Sequence, residues 1–261
     1  MGNNMRQFNL RNRIGEEYRL NSLDNFFHSP EGLGFRRNAT LQKLGTKYRV
    51  IRDGFSQIPI SGQIMFKSDS QASAYNRYLA FKNFLQEIPL TIVYRIPGGE
   101  FYKDVIPSTV DKTEINSSLG MDVGIELTPL TMWYRSVYLE YGGYRAHVDS
   151  DSVNESPCIL TFSGITRTNG NITWNQKVDG VTVMTGGLIG VTVAATDQIV
   201  VRTDTDPYQI YKLSGNTKTG LYQLSDFTKT RFPFIRKGAN LFKVTDATDI
   251  TIEGKILYET V

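Results

Sequence analysis

Across 261 residues only one stretch, Ser70–Glu87, spaces its apolar side chains as a helix does, and nearly everything else alternates apolar and polar positions in short runs. Within that stretch Tyr75, Tyr78, Leu79, Lys82 and Leu85 recur at helical spacing, and Phe81 and Phe84 widen the apolar face. Ser68, Asp69 or Ser70 supplies an N-cap, and Pro89 forbids continuation. One helix cannot cover the apolar surface of a chain this long, so sheets must pack on sheets and the fold class is mainly β. The aromatic stripe is read as the face that packs on its own sheet rather than as a cofactor box.

The strands follow from period-two patterns broken by Gly and Pro. Phe8 and Leu10, Tyr18 and Leu20, Tyr48, Val50 and Phe55, then Ile58, Ile60, Ile64 and Phe66 open the chain as half-buried strands, with Ser29-Pro30-Glu31-Gly32 as a turn. After the helix, Leu90–Ile96 and Glu100–Ile106 form a hairpin about Pro97-Gly98-Gly99. Val110–Asn116 and Val123–Leu130 form a second hairpin, whose edge at Thr113–Asn116 is either covered internally or open to pairing with another copy. From residue 136 the character changes, with Tyr138, Tyr141 and Tyr144 around Gly142-Gly143 and then Asp149-Ser150-Asp151-Ser152. Residues 1–135 are therefore expected as a β-rich domain with one helix, 136–156 as a connection, and 157–261 as a second domain. In that last part Ile159–Phe162, Asn171–Trp174, Val181–Met184, Gly190–Val193, Gln198–Arg202, Tyr208–Leu213 and Ile250–Tyr258 recur as short strands, the signature of a β-sandwich or jelly roll.

Several function classes are excluded at this point. The net charge is only +3 and no run of five like charges occurs. The basic clusters Arg11/Arg13 and Arg36-Arg37 are too short to track a phosphate backbone, so specific nucleic-acid binding is not expected. Cys158 is the sole cysteine, which rules out an intrachain disulfide and a cysteine-rich zinc site, and beside Ile159 and Leu160 it reads as a small buried hydrophobe. MGNNMRQFNL lacks the apolar core of a signal peptide, Arg6 stands where a myristoylation motif needs a hydroxyl, and no stretch of eighteen apolar residues suggests a membrane span.

Catalytic apparatus is not expected either. His28 and His147 have no partner spacing and read as loop residues, and no nucleophile elbow accompanies them. Asp149-Ser150-Asp151 and Asp204-Thr205-Asp206 spell D-x-D without the Gly and Glu of a calcium loop, so neither metal nor cofactor is expected. Gly186-Gly187-Leu188-Ile189-Gly190 and Gly32-Leu33-Gly34 do not sit between a strand and a helix, and read as turns. The serious alternative to a purely structural role is glycan binding: Trp174, Tyr208, Tyr211 and Tyr222 on a β-sandwich offer aromatic platforms, although each of them serves equally as core.

Taken in order, GLGF at Gly32–Phe35, Gly62-Gln63-Ile64-Met65-Phe66, the Tyr/Phe-striped helix, FYKDV at Phe101–Val105, LTPLTMWY ending at Tyr134 and FPFIRKGAN at Phe232–Asn240 resemble the distal tail protein family of long-tailed siphophages. The resemblance covers essentially the whole chain. It implies an amino-terminal ring, or belt, domain that assembles sixfold around the DNA channel, and a galectin-like β-sandwich behind it. It further implies a non-enzymatic virion protein at the distal end of the phage tail, made in the bacterial cytoplasm. Its partners would be other copies in a homohexamer, the tail tube protein, a tail-tip hub or tail-associated lysin protein, and separate receptor-binding proteins. A ring subunit uses two different patches that complement each other in one repeated heterologous contact, for which Phe101, Tyr102, Ile115, Trp133 and Tyr134 are the candidates, although each of them serves equally as monomer core. The alternative function is a carbohydrate-binding adsorption protein.

Overall fold

The computed structural model describes residues 7–44, 46–67, 70–97, 99–113 and 120–261. It is mainly β with one α-helix, in two compact units: Met1–Tyr134 with Tyr258–Val261, and Arg135–Leu257. The first unit contains β1 (Gln7–Arg11), β2 (Glu17–Arg19), β3 (Asn25–Glu31), β4 (Phe35–Leu44), β5 (Lys47–Gln57), β6 (Ile60–Lys67), α1 (Gln71–Phe84), β7 (Leu90–Ile96), β8 (Gly99–Thr113), β9 (Gly120–Pro129) and the start of β10 (Trp133–Gly142). Its strands pair antiparallel in the order β2-β1-β7-β8-β9-β6-β3.

β8 organises this sheet by changing partners along its length. Gly99–Val105 pairs with β7 and Val105–Thr113 with β9, so Val105 faces both Leu90 and Pro129. The two strands expected at Glu100–Ile106 and Val110–Asn116 are thus one, as far as Thr113; Asn116 and the expected turn at Ser117–Leu119 lie outside the described residues. Pro107 does not break the strand, because it sits at a register shift between Pro107 and Thr109, where a bulge tolerates a residue without an N–H.

The helix closes over the core. Ser70 caps it, its Oγ accepting the Ser73 N–H at 3.2 Å, while the other candidate caps, Ser68 and Asp69, lie outside the described residues. Ala74, Phe81 and Leu85 are buried, and the Phe81 ring meets those of Tyr18 and Phe66 at 5.0 and 5.7 Å. Leu10, Ile64, Phe66, Leu90 and Val105 complete the core, each burial of this size contributing about 1.5–3 kcal/mol. Ser29–Gly32 is less a turn than the bulged end of β3: the register shifts between His28 and Glu31, and Gly32 then takes φ +77°. A Cβ on Gly32 would lie 1.9 Å from the Pro59 carbonyl oxygen, so no other residue fits there.

The second unit contains the rest of β10, then β11 (Arg145–Ser150), β12 (Ser156–Ser163), β13 (Arg167–Val178), β14 (Val181–Val193), β15 (Gln198–Arg202), β16 (Gln209–Ser214), β17 (Thr217–Gly220), a 3-10 turn at Tyr222–Leu224, β18 (Phe234–Ile235), β19 (Gly238–Val244) and β20 (Asp249–Tyr258). One sheet runs β17-β16-β15-β12-β20 and the other β11-β19-β13-β14. Phe162 of the first meets Trp174 of the second at 5.9 Å, as in a sandwich. Residues 136–156 do not act as a mere connection, since β11 pairs along its whole length with β19.

The glycine run Gly186–Gly190 is a further correction: it is the middle of β14, not a turn. A Cβ on Gly186 would lie 2.1 Å from Nε1 of Trp174, so the glycine leaves room for the indole across the β13–β14 pair. FPFIRKGAN closes this unit with Asn240, fully buried, whose amide accepts from the Arg236 N–H and donates to the Arg236 and Gly238 carbonyls.

Candidate assembly surfaces

Of the residues proposed for ring contacts, Phe101 and Tyr102 are half-buried on β8, whereas Trp133 (0% exposed) and Tyr134 (6%) are interior. The Trp133 indole N–H donates to the Leu33 carbonyl at 3.1 Å, so the GLGF and MWY motifs meet and brace the core. Tyr134 donates its hydroxyl to Asp104 at 2.8 Å and stacks on Tyr102, with burial and the carboxylate driving its pKa upward. These two are corrected from surface to core, because a large aromatic that finds a hydrogen-bond partner inside is stabler there than in water. Ile115 lies outside the described residues.

Phe101 and Lys103 project from the same side of β8, and Lys103 is wholly buried. Its ammonium lies 4.9 Å over the Trp133 ring and hydrogen-bonds Gln57 Oε1, and burial lowers its pKa to about 8. Gln57 is the last residue of β5, so this contact fastens the root of the β4–β5 hairpin.

The glycan candidates divide. Trp174 is core, its N–H donating to the Arg231 carbonyl at 3.0 Å. Tyr208, Tyr211 and Tyr222 instead line one groove of ≈ 1070 Å³ in the second unit, together with Asp204, Asp206 and Phe232. Tyr208 (42%) and Tyr222 (46%) are exposed and flank Phe232, while Tyr211 is nearly buried with the Lys218 ammonium 3.9 Å over its ring. Asp204 takes a two-pronged bond from Arg202, at 2.7 and 2.6 Å, which holds its carboxyl below the usual range.

The other motifs are structural. His28 and His147 stand on β3 and β11 rather than in loops, facing Asp122 at 4.0 Å and Asp149 at 3.3 Å. Cys158 is buried, which pushes its thiol up to about 12 and leaves it inert. Among the described residues no group of three or more His, Cys, Asp or Glu is arranged to hold a metal, and no helix is long and apolar enough to cross a membrane.

The surface that sequence reasoning missed is the β4–β5 hairpin. The two strands pair with each other over their whole length, and among the described residues no other strand pairs with either. Leu41 (55%), Val50 (52%) and Ile51 (61%) are exposed on it, Leu41 directly opposite Val50. Arg36, Lys43, Lys47 and Arg49 are exposed on the same arm. Lys43, Lys47 and Arg49 gather toward its tip, while Arg36 stands toward its root, opposite Ser56.

Residues 7–130 match the family described as "Distal tail protein, N-terminal domain". Over residues 7–130 the chain belongs to the distal tail protein family. Its fold is similar to a chain of the phage P2 baseplate in its activated conformation with calcium, at 14% identity and TM-score 0.62, covering 98% of this chain and 100% of that one. It is also similar to the phage SPP1 Dit protein, whose crystal structure is described as a paradigm of the hub adsorption apparatus in phages infecting Gram-positive hosts, at 11% identity and TM-score 0.67, covering 96% and 99%. No curated protein matches the sequence. The resemblance drawn from GLGF, FYKDV and LTPLTMWY is borne out, as is the mainly β fold. This distal tail protein is a structural component of the phage virion, located in the baseplate at the tail end.

Proposed function

We propose that this distal tail protein closes on copies of itself into a sixfold ring that surrounds the DNA channel and joins the tail tube to the tail-tip adsorption apparatus, without catalysing a reaction. In this reading the first unit forms the ring, Phe101 and Tyr102 contribute to contacts between copies, and the second unit carries the sandwich toward receptor-binding partners. The tube protein would dock on one face of the ring and a tip hub or tail-associated lysin protein on the other. The observation that carries the reading is the β4–β5 arm: an isolated two-stranded hairpin is marginal in water, so two strands that among the described residues pair only with each other, with Leu41, Val50 and Ile51 exposed, call for a neighbour. Light scattering on a sizing column tests it. A closed ring of 29.5 kDa subunits has a mass of roughly 177 kDa. A monomer at every concentration, and still a monomer with tail tube present, would sink the reading.

The groove carrying Tyr208, Tyr211 and Tyr222 favours one second reading, carbohydrate binding during host adsorption. Titration with fragments of the host cell-wall polysaccharide, followed by tyrosine fluorescence, tests it; binding that Tyr208→Ala and Tyr222→Ala leave unchanged would remove the groove from consideration.

A further inference from the structure

The segment between β17 and β18, residues 221–233, holds a cation that the fold leaves half satisfied. Arg231 takes φ +74°, a left-handed conformation that is unfavourable for a long side chain. Its peptide is held there at both ends: the N–H donates to the Thr185 carbonyl at 2.8 Å, and the carbonyl accepts the Trp174 indole N–H at 3.0 Å. A residue kept in a strained conformation by its neighbours points to a role for its side chain. The guanidinium carbon lies 4.7 Å from the centre of the Phe227 ring, 5.8 Å from that of Tyr222 and 5.9 Å from that of Phe232. Ring faces attract the positive charge, yet they do not replace the oxygen acceptors that its N–H donors require. Nε and Nη1 are shielded from solvent and make no hydrogen bond, and Ser225 Oγ in the same segment is likewise shielded and unbonded. The one acid of the segment, Asp226, is already engaged by the Lys229 ammonium at 3.0 Å and by the Thr228 N–H and hydroxyl at 3.1 and 2.6 Å. Shielded donors of a cation are costly without an acceptor, and an anion supplies one.

Two of the three rings also belong to the groove of the second unit. Tyr222 and Phe232 line it beside Tyr208, whose ring meets Phe232 edge-on at 5.1 Å, while Tyr222 stacks toward Phe232 at 6.5 Å. Phe227 stands outside the groove, 59% exposed, meeting Tyr222 at 5.8 Å and covering the guanidinium. We propose that the groove takes an acidic saccharide, which stacks on Tyr208, Phe232 and Tyr222 and sets a carboxylate or phosphate on Arg231 once the Phe227 ring has swung aside. The proposal rests on the carbohydrate reading of this groove and adds the charge of the ligand. A carboxylate and a phosphate share the chemistry needed, paired oxygens that match the planar guanidinium fork. Phe227 moves readily, because an exposed side chain changes rotamer without emptying a core. The groove's acids do not oppose the anion at this end: Asp204 is answered by Arg202, and Asp206 lies on the loop that carries Tyr208. A peptide fits less well, since β16 is paired on both sides and offers no free edge for an added strand.

Calorimetric titration of the full chain tests this with three saccharide probes: maltotetraose, maltotetraose bearing one phosphate, and tetragalacturonate. At least one charged probe is expected to bind about tenfold more tightly than maltotetraose, the gain of one charge-assisted contact. Arg231→Gln should remove that advantage while leaving maltotetraose within about twofold of its original affinity. Phe227→Ala, a change at an exposed ring that keeps the test decisive should Arg231→Gln not fold, should tighten the charged probe by about threefold. Whichever charged probe gains identifies carboxylate or phosphate as the group held. Equal binding of charged and neutral probes overturns the acidic ligand and leaves the carbohydrate reading standing. A charged advantage that survives Arg231→Gln, or that Phe227→Ala leaves unchanged, overturns the assignment to the covered guanidinium. Absence of binding by all three removes both readings. Hexaglutamate binding more tightly than either charged saccharide would assign Arg231 to an acidic protein segment instead.

Discussion

Two long hairpins in this molecule, β4–β5 and β13–β14, begin from similar ingredients and end in opposite environments. Both are antiparallel pairs of ten or more residues per strand, and both contain a bulge. In β13–β14 the apolar positions Ile172, Trp174, Met184, Leu188 and Val191 are buried within the second unit. In β4–β5 the apolar positions Leu41, Val50 and Ile51 are exposed. Hairpin pairing alone therefore does not decide where apolar side chains go; the presence of a second layer does. Where the layer exists the hairpin is core, and where it does not the apolar side chains stay exposed.

The contrast predicts stability effects that fall steeply from one hairpin to the other. Trp174→Ala should cost about 3–5 kcal/mol in denaturant unfolding, because it empties the centre of the sandwich and leaves the Arg231 carbonyl without its donor. A loss below one kcal/mol would mean that β13–β14 is no better covered than the arm. Next in size is Lys103, which fastens the arm root at Gln57. Its folded pKa, about 8, lies below the ordinary 10.5, so below pH 8 the ammonium is charged in both states and the folded protein bears the full burial cost. Between pH 8 and 10.5 the unfolded chain binds the extra proton, and stability should rise with pH by about 3 kcal/mol. Lys103→Met should abolish that rise and be the stabler protein at pH 7; a variant with the wild-type pH slope would show that another group titrates. Smaller again is Gly32→Ala, expected to cost about 1–3 kcal/mol, since the backbone sits at positive φ and the methyl meets the Pro59 carbonyl.

How much of this was legible in the sequence depended on whether the determining contact was local. The helix, its Ser70 cap and the strand Leu90–Ile96 depend on residues within a few positions, and they were readable. Glu100–Ile106 and Val110–Asn116 read as two strands rather than one, because whether Pro107 falls at a bulge depends on the register with β9. Gly186 was misread as a turn residue, because its reason for being glycine is an indole on the preceding strand. Trp133 and Tyr134 carried the right family signal and the wrong placement: aromatic spacing does not distinguish a core from an interface. The arm was the deepest omission, since alternation over residues 48–55 marks a strand without saying whether a second layer covers it.

The smallest stability effect belongs to the arm, and there stability and assembly should separate. Leu41→Ser, Val50→Ser and Ile51→Ser replace exposed apolar groups that the isolated chain does not bury, so each should shift unfolding by no more than about 0.5 kcal/mol. The same three changes combined should move the light-scattering mass from the proposed ring toward monomer, because the exposed apolar side chains that a neighbouring copy would cover are gone. A triple variant that unfolds early would instead place these side chains in the monomer's own core, and one that still forms the full ring would shift the contact to Phe101 and Tyr102 on β8. On the proposed ring reading, the hairpin that contributes least to folding is the one on which assembly depends.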